Sequence, residues 1–391
     1  MRDVLVVGPQ TRDRMLVAAA GLDRRYRIRY AGPDLDAVER FDAQALLDES
    51  LAGPADGVVG TKDRAALLAA VVAARRGLTG PAPDAVVTVQ HKPVARERMR
   101  AVVPGATPRF FVPHGGPPPF PPPYFAKPAV GRLSQGAQLV HDLGALGRAP
   151  ESYADGWAAL AALAGVDLPP GFRGWIAEEP LHGREVTLEG YVHRGRVTTV
   201  GITDSLKYPG TNSFEAFAYP ADLTPERDAE LGAIAERLLP AFGFDGGFFN
   251  VEFFVPGDGP AKVIEANGRI ASQFAPLVAA THGRSTYDAL LALACGDDPR
   301  WETRPPDGAA VSYVVRVFED ALVDGVPEPE DGLEVLVERG RRLSEQRGAN
   351  DVTSFRLAIL SEAGETRAEA LARARRRAER LSFRLRPAPP P

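Results

Sequence analysis

The chain has 391 residues, with 46 Lys and Arg against 51 Asp and Glu, and therefore a formal net charge of −5 at pH 7. Apolar residues make up 45% and charged residues 25%, a composition that is typical of folded globular proteins and excludes wholesale disorder. The length predicts about two to four packed domains. The negative net charge argues against general affinity for nucleic acid.

The sequence offers little support for a secreted or membrane-bound protein. Cys295 is the single cysteine, so neither a disulfide framework nor a cysteine-based zinc site can form. The first apolar stretch is too short for a signal peptide, and the longest apolar run, Ala65 to Ala74, is about half as long as a membrane span. We therefore expect a cytoplasmic protein that has no membrane partner.

The N-terminal 88 residues alternate between predicted strands and helices. The strands are predicted at Val4–Val7, Arg27–Tyr30, Asp56–Val59 and Ala85–Val89, with helices at Thr11–Leu22 and Arg64–Arg76. This alternation predicts a doubly wound parallel sheet over residues 1–88. No Gly-x-Gly-x-x-Gly motif follows the first strand, so a dinucleotide site is not expected there.

The rest of the chain is predicted to contain a strand-rich middle and a smaller C-terminal part. A proline-rich connector spans Pro113 to Pro123. The predicted strands are 124–127, 174–178, 185–193, 196–203, 246–255, 261–267, 310–319 and 354–360, and the predicted helices are 94–102, 152–164, 225–242, 285–294 and 366–381. We predict domain boundaries at 89–300, with a small lid at about 124–183, and at 301–391, which ends in a proline-rich tail.

The strongest cluster of candidate functional side chains lies on the predicted hairpin at 246–267 and directly after it. Glu265 and Asn267 share one face of the second strand because strand side chains alternate, and Arg269 shares that face if the strand extends to it. Glu252 on the first strand can face Glu265 across the hairpin. Two carboxylates, an amide and a guanidinium suit a Mg²⁺-bound polyphosphate. The alternative is a surface hairpin with ordinary exposed charges.

Two weaker clusters precede the hairpin. Lys127 ends a strand and is followed by a loop of small residues that contains Ser134 and Gly136; such a loop can approach phosphate, although the Gly-Lys-Ser/Thr of a P-loop is missing. Residues 175–185 form a strand, a turn and a new strand, and this segment can read an adenine edge and ribose hydroxyls. Taken alone, the loop after Lys127 is explained equally well by an ordinary turn, and residues 175–185 are explained better by an ordinary strand, turn and strand.

Lysine is scarce, which gives each lysine added weight. The chain has only Lys62, Lys92, Lys127, Lys207 and Lys262, while the other 41 of its 46 basic residues are Arg. A lysine kept against this bias is more often needed as a compact point charge.

In their order and spacing, the three clusters resemble the ATP-grasp superfamily from about Gln90 to Asp298. The resemblance implies an α/β (α+β ATP-grasp) fold. Along the chain, an N-terminal domain with a doubly wound parallel sheet is followed by central subdomains built on antiparallel sheets and then by a small C-terminal α+β unit. It implies that Lys92 and Lys127 bind the ATP phosphates and that Ser134 and Gly136 lie in a loop that covers those phosphates. Glu178, Glu179 and Leu181 would contact the adenine, and Glu185 would bind the ribose. Glu252, Glu265 and Asn267 would bind two Mg²⁺ ions, with Mn²⁺ as an alternative, and Arg269 with Lys127 would stabilise the transferred phosphoryl group.

The implied reaction activates a substrate carboxylate with ATP as an acyl phosphate and couples it to an amine, releasing ADP and phosphate. The segments 201–204 and 219–223 are similar to ligases that join amino acids or peptides, and Lys207 is a candidate for contact with the substrate. A biotin-carboxylase-like reaction is an alternative, since the C-terminal unit is similar to that branch, although no Met-Lys-Met biotinylation site is present. A nucleotide-binding protein without turnover is a third reading, and a homodimer is expected.

Overall fold

The computed structural model describes residues 1–113, 116–132, 135–149, 151–302, 304–346 and 354–387, with the side chains of 151 and 152 left out. The chain divides into two compact units. The first contains Met1–Gly201, Leu223–Gln273 and Ser285–Thr303, and the second contains Ile202–Asp222, Phe274–Arg284 and Arg304–Pro391. No helix of the described residues is both long enough and apolar enough to cross a membrane.

Seventeen strands and ten α-helices occur in the described residues. The strands β1 to β17 are Arg2–Val7, Tyr26–Ala31, Gly57–Val59, Phe110–Phe111, Tyr124–Pro128, Gln138–Val140, Trp175–Glu178, Arg184–His193, Arg196–Lys207, Phe214–Tyr219, Gly247–Val255, Lys262–Asn267, Ala309–Val317, Ala321–Gly325, Leu333–Val335, Phe355–Gly364 and Arg384–Pro387. The helices α1 to α10 are Thr11–Ala19, Ala43–Leu51, Asp63–Arg76, Pro83–Gln90, Lys92–Val102, Glu151–Leu163, Pro225–Ala241, Ala275–His282, Thr286–Ala294 and Arg367–Ala378.

A three-stranded parallel sheet opens the first unit, in the order β2-β1-β3. Its central strand β1 is a buried run of branched residues, and Val4 pairs with both Ile28 and Gly57. A run buried on both faces is typical of parallel sheets, whose connecting segments cover them. The predicted strands at Val4–Val7, Arg27–Tyr30 and Asp56–Val59 are confirmed.

The fourth predicted strand, Ala85–Val89, is wrong, because these residues lie in helix α4. Pro83 occupies the first turn of that helix, where its missing N–H costs nothing, and Asp84 lies favourably near the helix N-terminus. Its apolar residues are all buried, and α4 packs against α3 and α5. A short apolar run that is buried all round has no diagnostic period, so its sequence does not distinguish strand from helix.

Antiparallel strands form the rest of the first unit. One sheet has the order β4-β7-β5-β6, and another part of the unit has β12-β11-β8 followed by the start of β9. The predicted hairpin is confirmed: β11 and β12 pair antiparallel, with Glu252 opposite Glu265 and Asn250 opposite Asn267. This hairpin and β8 carry four of the predicted site residues, Glu185, Glu252, Glu265 and Asn267.

The second unit is an antiparallel sheet covered by a helix. Its strand order runs from the end of β9 through β10, β13 and β16 to β15. Helix α10 buries Ala370 and Ala374 against Ala216, Val311 and Leu360 of this sheet. The arginines of α10 lie outside this buried stripe, and two of them form ion pairs, Arg375 with Glu215 and Arg377 with Glu362. Strand β10 and helix α8 were not predicted.

Candidate functional site

Polar side chains form two rows across strands β8, β11 and β12 of the first unit. In the first row, Thr187 lies opposite Glu252, which lies opposite Glu265. In the second row, Glu189, Asn250 and Asn267 are opposite one another in the same way. The rows are two residues apart on each strand and therefore lie on the same face of the sheet, separated by about 7 Å. This arrangement accounts for three of the predicted metal-site residues and adds three that were not predicted.

The first row concentrates negative charge. Burial, followed by the charges of Glu265 and Glu185, raises the pKa of Glu252 well above its usual value. Two facing carboxylates in a half-buried place repel one another unless a cation lies between them. The amide Nδ2 of Asn267 donates to Asn250 Oδ1 over 2.9 Å and approaches Glu252 Oε1 at 3.5 Å, which leaves the Asn267 carbonyl oxygen available.

These oxygen donors fit a hard divalent cation. Carboxylate and amide oxygens are the ligands that Mg²⁺ prefers, and Mg²⁺ commonly takes only one or two carboxylates beside substrate phosphates. Among the residues that the structure describes, no group of three or more His, Cys, Asp or Glu side chains is arranged to hold a metal ion. Glu252 and Glu265 supply two carboxylates, and Asn267 supplies an amide oxygen. These three side chains therefore need the oxygens of a bound ligand to complete the coordination shell of a metal ion.

A buried ion cluster lies beside these rows. Lys127 Nζ is 2.9 Å from Glu178 Oε2, and Arg96 Nε donates to Glu178 Oε1 over 2.6 Å. Lys127 and Arg96 both also donate to the backbone oxygen of Ile264 in β12, at 3.3 and 2.5 Å. The cluster therefore fixes the lysine of β5 and the glutamate of β7 against the strand that carries Glu265.

The charges in this cluster stabilise one another. Burial alone would raise the pKa of Glu178, but the charges and hydrogen bonds of Arg96 and Lys127 outweigh it and hold that pKa at about 2. Burial lowers the pKa of Lys127 despite the attraction of Glu178, and the neighbouring cation of Arg96 adds to the decrease. Arg96 was not predicted as a site residue; its contribution depends on contacts far apart in sequence.

Lys92 forms an ion pair with a glutamate of the first polar row. Its Nζ is 3.6 Å from Glu265 Oε2 and donates to the backbone oxygen of Gly131 over 3.3 Å. Lys92 is the first residue of α5, and its own N–H donates to Ala129 in the loop after β5. The two lysines that the resemblance assigns to ATP phosphates thus both lie within reach of the predicted metal-site row.

Arg269 is held by a residue that was not predicted. Its Nε is hydrogen-bonded to Asp63 Oδ1, and Tyr153 donates to Asp63 Oδ2 over 3.3 Å. The ion pair with Asp63 overcomes the effect of burial and raises the pKa of Arg269, so the guanidinium stays charged. The backbone oxygen of Arg269 also accepts from Asn250 over 3.0 Å. Both the backbone and the side chain of Arg269 are thereby fixed.

The residues predicted to hold the adenosine are placed less tightly. Glu179 extends from the end of β7, where its N–H donates to Arg109 O over 2.9 Å and its carboxylate accepts from Arg109 Nε over 2.7 Å. Leu181 follows in the turn, half-buried. Glu185, at the start of β8, acts electrostatically on Glu252. Adenine reading and ribose binding by these residues stay predictions.

Gly136 and Lys207 belong to elements other than β8, β11 and β12. Gly136 lies in the loop between β5 and β6 with φ at +75°, a conformation that glycine adopts without strain, and Ser134 lies outside the described residues. Lys207 ends β9 in the second unit, where its Nζ is 5.8 Å from the ring centre of Phe214. The substrate contact of Lys207 stays a prediction.

Three of the five lysines are gathered in this part of the first unit. Lys62 directly precedes Asp63, and burial together with the charge of Arg269 lowers the pKa of Lys62 to about 8. Lys92 and Lys127 complete the group. Lys262 on β12 instead donates to the backbone oxygen of Gly105 over 2.9 Å. Lys62 is therefore coupled electrostatically to Arg269.

The central residues are similar to a known domain family. Residues 120–276 match the sequence profile of the ATP-grasp domain. Over 175 residues the chain is 27% identical to carnosine synthase 1 of Homo sapiens, a match that covers 43% of this chain. The same match covers 21% of carnosine synthase 1, so this chain corresponds to only part of that protein.

Solved structures share the whole architecture. The L-amino acid ligase from Bacillus licheniformis has a TM-score of 0.77 at 16% identity, covering 98% of both chains. A biotin carboxylase from Campylobacter jejuni has a TM-score of 0.66 at 14% identity, covering 98% of this chain and 92% of the other. The predicted fold, a parallel N-terminal sheet followed by antiparallel sheets, is confirmed. Residues 120–276 are therefore similar to the ATP-grasp domain, and the chain has the fold that these ligase and carboxylase structures share.

Proposed function

We propose that the protein is an ATP- and Mg²⁺-dependent ligase that activates a substrate carboxylate as an acyl phosphate and couples it to an amine. The observation that carries this proposal is the pairing of Glu252 with Glu265, next to Asn267 and within reach of Lys92. Acidic oxygens beside fixed cations on one sheet face suit a polyphosphate and its metal ions. The proposed reaction needs no side chain as a nucleophile.

The residues would act by positioning and by charge. Lys92 and Lys127 bind phosphate oxygens of ATP, and Glu252, Glu265 and Asn267 hold two Mg²⁺ ions. Bound there, Mg²⁺ supplies positive charge that neutralises the phosphate oxygens. Arg269, kept charged by Asp63, stabilises the phosphoryl group as a substrate carboxylate oxygen attacks the γ-phosphorus and ADP leaves. The amine then attacks the acyl carbon, phosphate leaves, and the amine proton passes to solvent.

Two comparisons favour an amine as the acceptor. The sequence match to carnosine synthase 1 and the architectural likeness to an L-amino acid ligase both involve proteins whose names describe joining amino acids. The likeness to biotin carboxylase favours a second candidate, in which bicarbonate is the activated carboxylate and a biotin-like group is the acceptor. The two candidates share the ATP site and differ in what reacts with the acyl or carboxy phosphate.

The test is phosphate release from ATP in the presence of Mg²⁺. The purified chain is incubated with amino acids in pairs and pools, including β-alanine with L-histidine, and separately with bicarbonate and biotin. The ligase is supported if phosphate release requires two amino acids and the product has a mass equal to the sum of their masses minus that of one water molecule. Release that requires bicarbonate and biotin overturns it in favour of carboxylation. ATP binding without release in any mixture would favour a protein that binds the nucleotide without turnover.

A further inference from the structure

Glu189 is a buried carboxylate in the second polar row of the sheet. It lies on β8, opposite Asn250 and in line with Asn267, and it is 3% exposed. Its Oε1 accepts a hydrogen bond from the backbone N–H of Ala271 over 2.5 Å. Its Oε2 is buried and has no hydrogen-bond donor among the described residues. A buried oxygen in this condition is uncommon, because an acceptor that is removed from water normally gains a replacement donor.

The charge of Glu189 is also poorly balanced. Burial raises its pKa to about 8, and the Ala271 N–H and the charge of Arg269 reduce this increase only in part. Arg269 is bonded to Asp63 and forms no direct hydrogen bond with Glu189 in the described residues. The site therefore contains an acidic group that lacks a cationic partner of its own, in contrast to Glu178, which has two.

The alternation of side chains along β8 places Glu189 on the same face of the sheet as Glu185 and Thr187. Glu185, Thr187 and Glu189 share one face, and successive members are about 7 Å apart. Under the proposed function, Glu185 lies at the ribose and the Thr187 row lies at the metal ions and phosphates, while Asn267 adds an oxygen from the β12 end of the next row. Glu189 is then one row beyond the phosphates, on the side of Arg269. That is where the substrates must lie for a carboxylate to reach the γ-phosphate.

We propose that Glu189 binds the amino group of a substrate, through a charge-assisted hydrogen bond from a primary ammonium or amine to Oε2. This inference rests on the proposed function, because the row assignment takes ATP to lie along the sheet. The amino group belongs either to the nucleophilic amine or to an amino-acid acyl donor, since both carry the same chemistry. We assign it to the nucleophile, because Glu189 is one row beyond the phosphates, whereas the carboxylate of the acyl donor must contact the γ-phosphate.

The first experiment compares Glu189→Gln with the parent and with Glu236→Gln, an exposed position on α7 that serves as a matched control. Glutamine keeps an oxygen for the Ala271 N–H but cannot ionise to form an ion pair with a bound ammonium group. For an active substrate pair, we expect the KM for the amine to rise roughly tenfold or more in Glu189→Gln, while the KM for ATP changes less than about twofold. An unchanged KM for both amino-acid substrates, or an equal rise in the KM for ATP, overturns the inference.

A hydroxylamine assay separates the two sources of the amino group. Hydroxylamine traps an acyl phosphate as a hydroxamate, so that only ATP and the acyl donor are needed. If Glu189 binds the nucleophile, the KM for the acyl donor in hydroxamate formation is the same in Glu189→Gln as in the parent. If the KM for the acyl donor rises instead, in both assays, the assignment to the nucleophile is overturned and the amino group is that of the acyl donor.

A binding measurement keeps the inference testable if the parent shows no turnover, which would count against the proposed function alone. The parent and Glu189→Gln are loaded with ADP and Mg²⁺ and titrated by calorimetry with β-alanine, L-alanine and L-histidine. Binding to the parent that weakens roughly tenfold in the variant supports an amino-group site at Glu189. Equal affinities in the two proteins, or no binding to the parent by any of the three probes, overturn it. Thermal unfolding of both proteins verifies that the variant is folded.

Discussion

Asp63 and Arg269 form a buried ion pair although 206 residues separate them in the sequence. Asp63 begins α3, which follows the parallel sheet, whereas Arg269 follows the last strand of the polar rows. The pair joins the N-terminal sheet to the part of the site where the phosphoryl group would be transferred. The orientation of Arg269 therefore depends on the N-terminal sheet domain as much as on the strand that precedes it.

Asp63→Asn tests the effect of this ion pair. Removing one partner leaves a buried guanidinium without its counter-charge, so we expect the free energy of unfolding to fall by about 3 kcal/mol. We expect kcat to fall more than the KM for ATP rises, because Arg269 acts on the transferred group. Urea unfolding and steady-state kinetics measure the two effects. The double variant Asp63→Asn with Arg269→Met should recover part of the stability and none of the activity; additive losses of stability would contradict a direct pair.

Glu178→Gln tests the ion cluster through its pH dependence. The pKa of Glu178 is about 2 in the folded protein, against an ordinary value of 4.5. A carboxyl whose folded pKa is depressed contributes stability above its unfolded pKa, and this contribution is lost as the pH falls from about 4.5 towards 2. We expect a contribution on the order of 3 kcal/mol at pH 7. Urea unfolding between pH 3 and pH 7 should show a steeper acid loss in the parent than in the variant.

The control for that measurement is Glu97→Gln, at an exposed glutamate that pairs with Arg100 one turn away. Its unfolding free energy should follow the pH dependence of the parent, since exposed pairs of this kind contribute little. Parallel profiles for the parent and Glu178→Gln would refute a stabilising role for the cluster.

Lys127→Ala tests the phosphate site. Removing a buried ammonium that faces bound phosphate should weaken ATP binding by roughly tenfold or more. Isothermal titration calorimetry with ATP and Mg²⁺ measures the dissociation constant. Lys262→Ala is the control, because the Lys262 ammonium is bonded to backbone oxygens at Gly105 and Thr107 instead of facing the rows. Equal affinities for Lys127→Ala and the parent would exclude Lys127 from the phosphate site.

Glu265→Gln tests the metal site. We expect turnover to be abolished, because one of the two carboxylates is lost. We also expect the thermal stability without Mg²⁺ to be kept or raised, because the charge of Glu265 contributes to the raised pKa of Glu252. Phosphate release as a function of Mg²⁺ concentration and thermal unfolding with and without Mg²⁺ measure these effects. Turnover that is unchanged at the Mg²⁺ concentration of the parent is the result that removes Glu265 from the metal site.

Local patterns in the sequence predicted the arrangement of the hairpin. A turn rich in glycine and proline between two apolar runs predicts a hairpin, and the alternation of side chains then places Glu252 opposite Glu265. The same reasoning failed at Ala85–Val89, where a uniformly apolar run has no period.

The missed site residues have a common physical reason. Asp63, Arg96 and Glu189 act through partners that are 206, 82 and 82 residues away in sequence. No local pattern specifies such partners, because they depend on how separate elements pack. For Glu189, the run of alternating residues on β8 was a usable signal: it places an acidic residue two positions from a threonine on a face shared with Glu185.

The gathering of three of the five lysines around the site has a practical consequence for chemical labelling. An amine-directed reagent has few other side chains to modify in this chain, and Lys62, with its pKa lowered to about 8, carries a larger neutral fraction at mild pH than an ordinary lysine. Mass-spectrometric mapping of acylated lysines, with and without ATP, would therefore footprint the nucleotide site in a single experiment, against a background of arginines that such reagents leave unmodified.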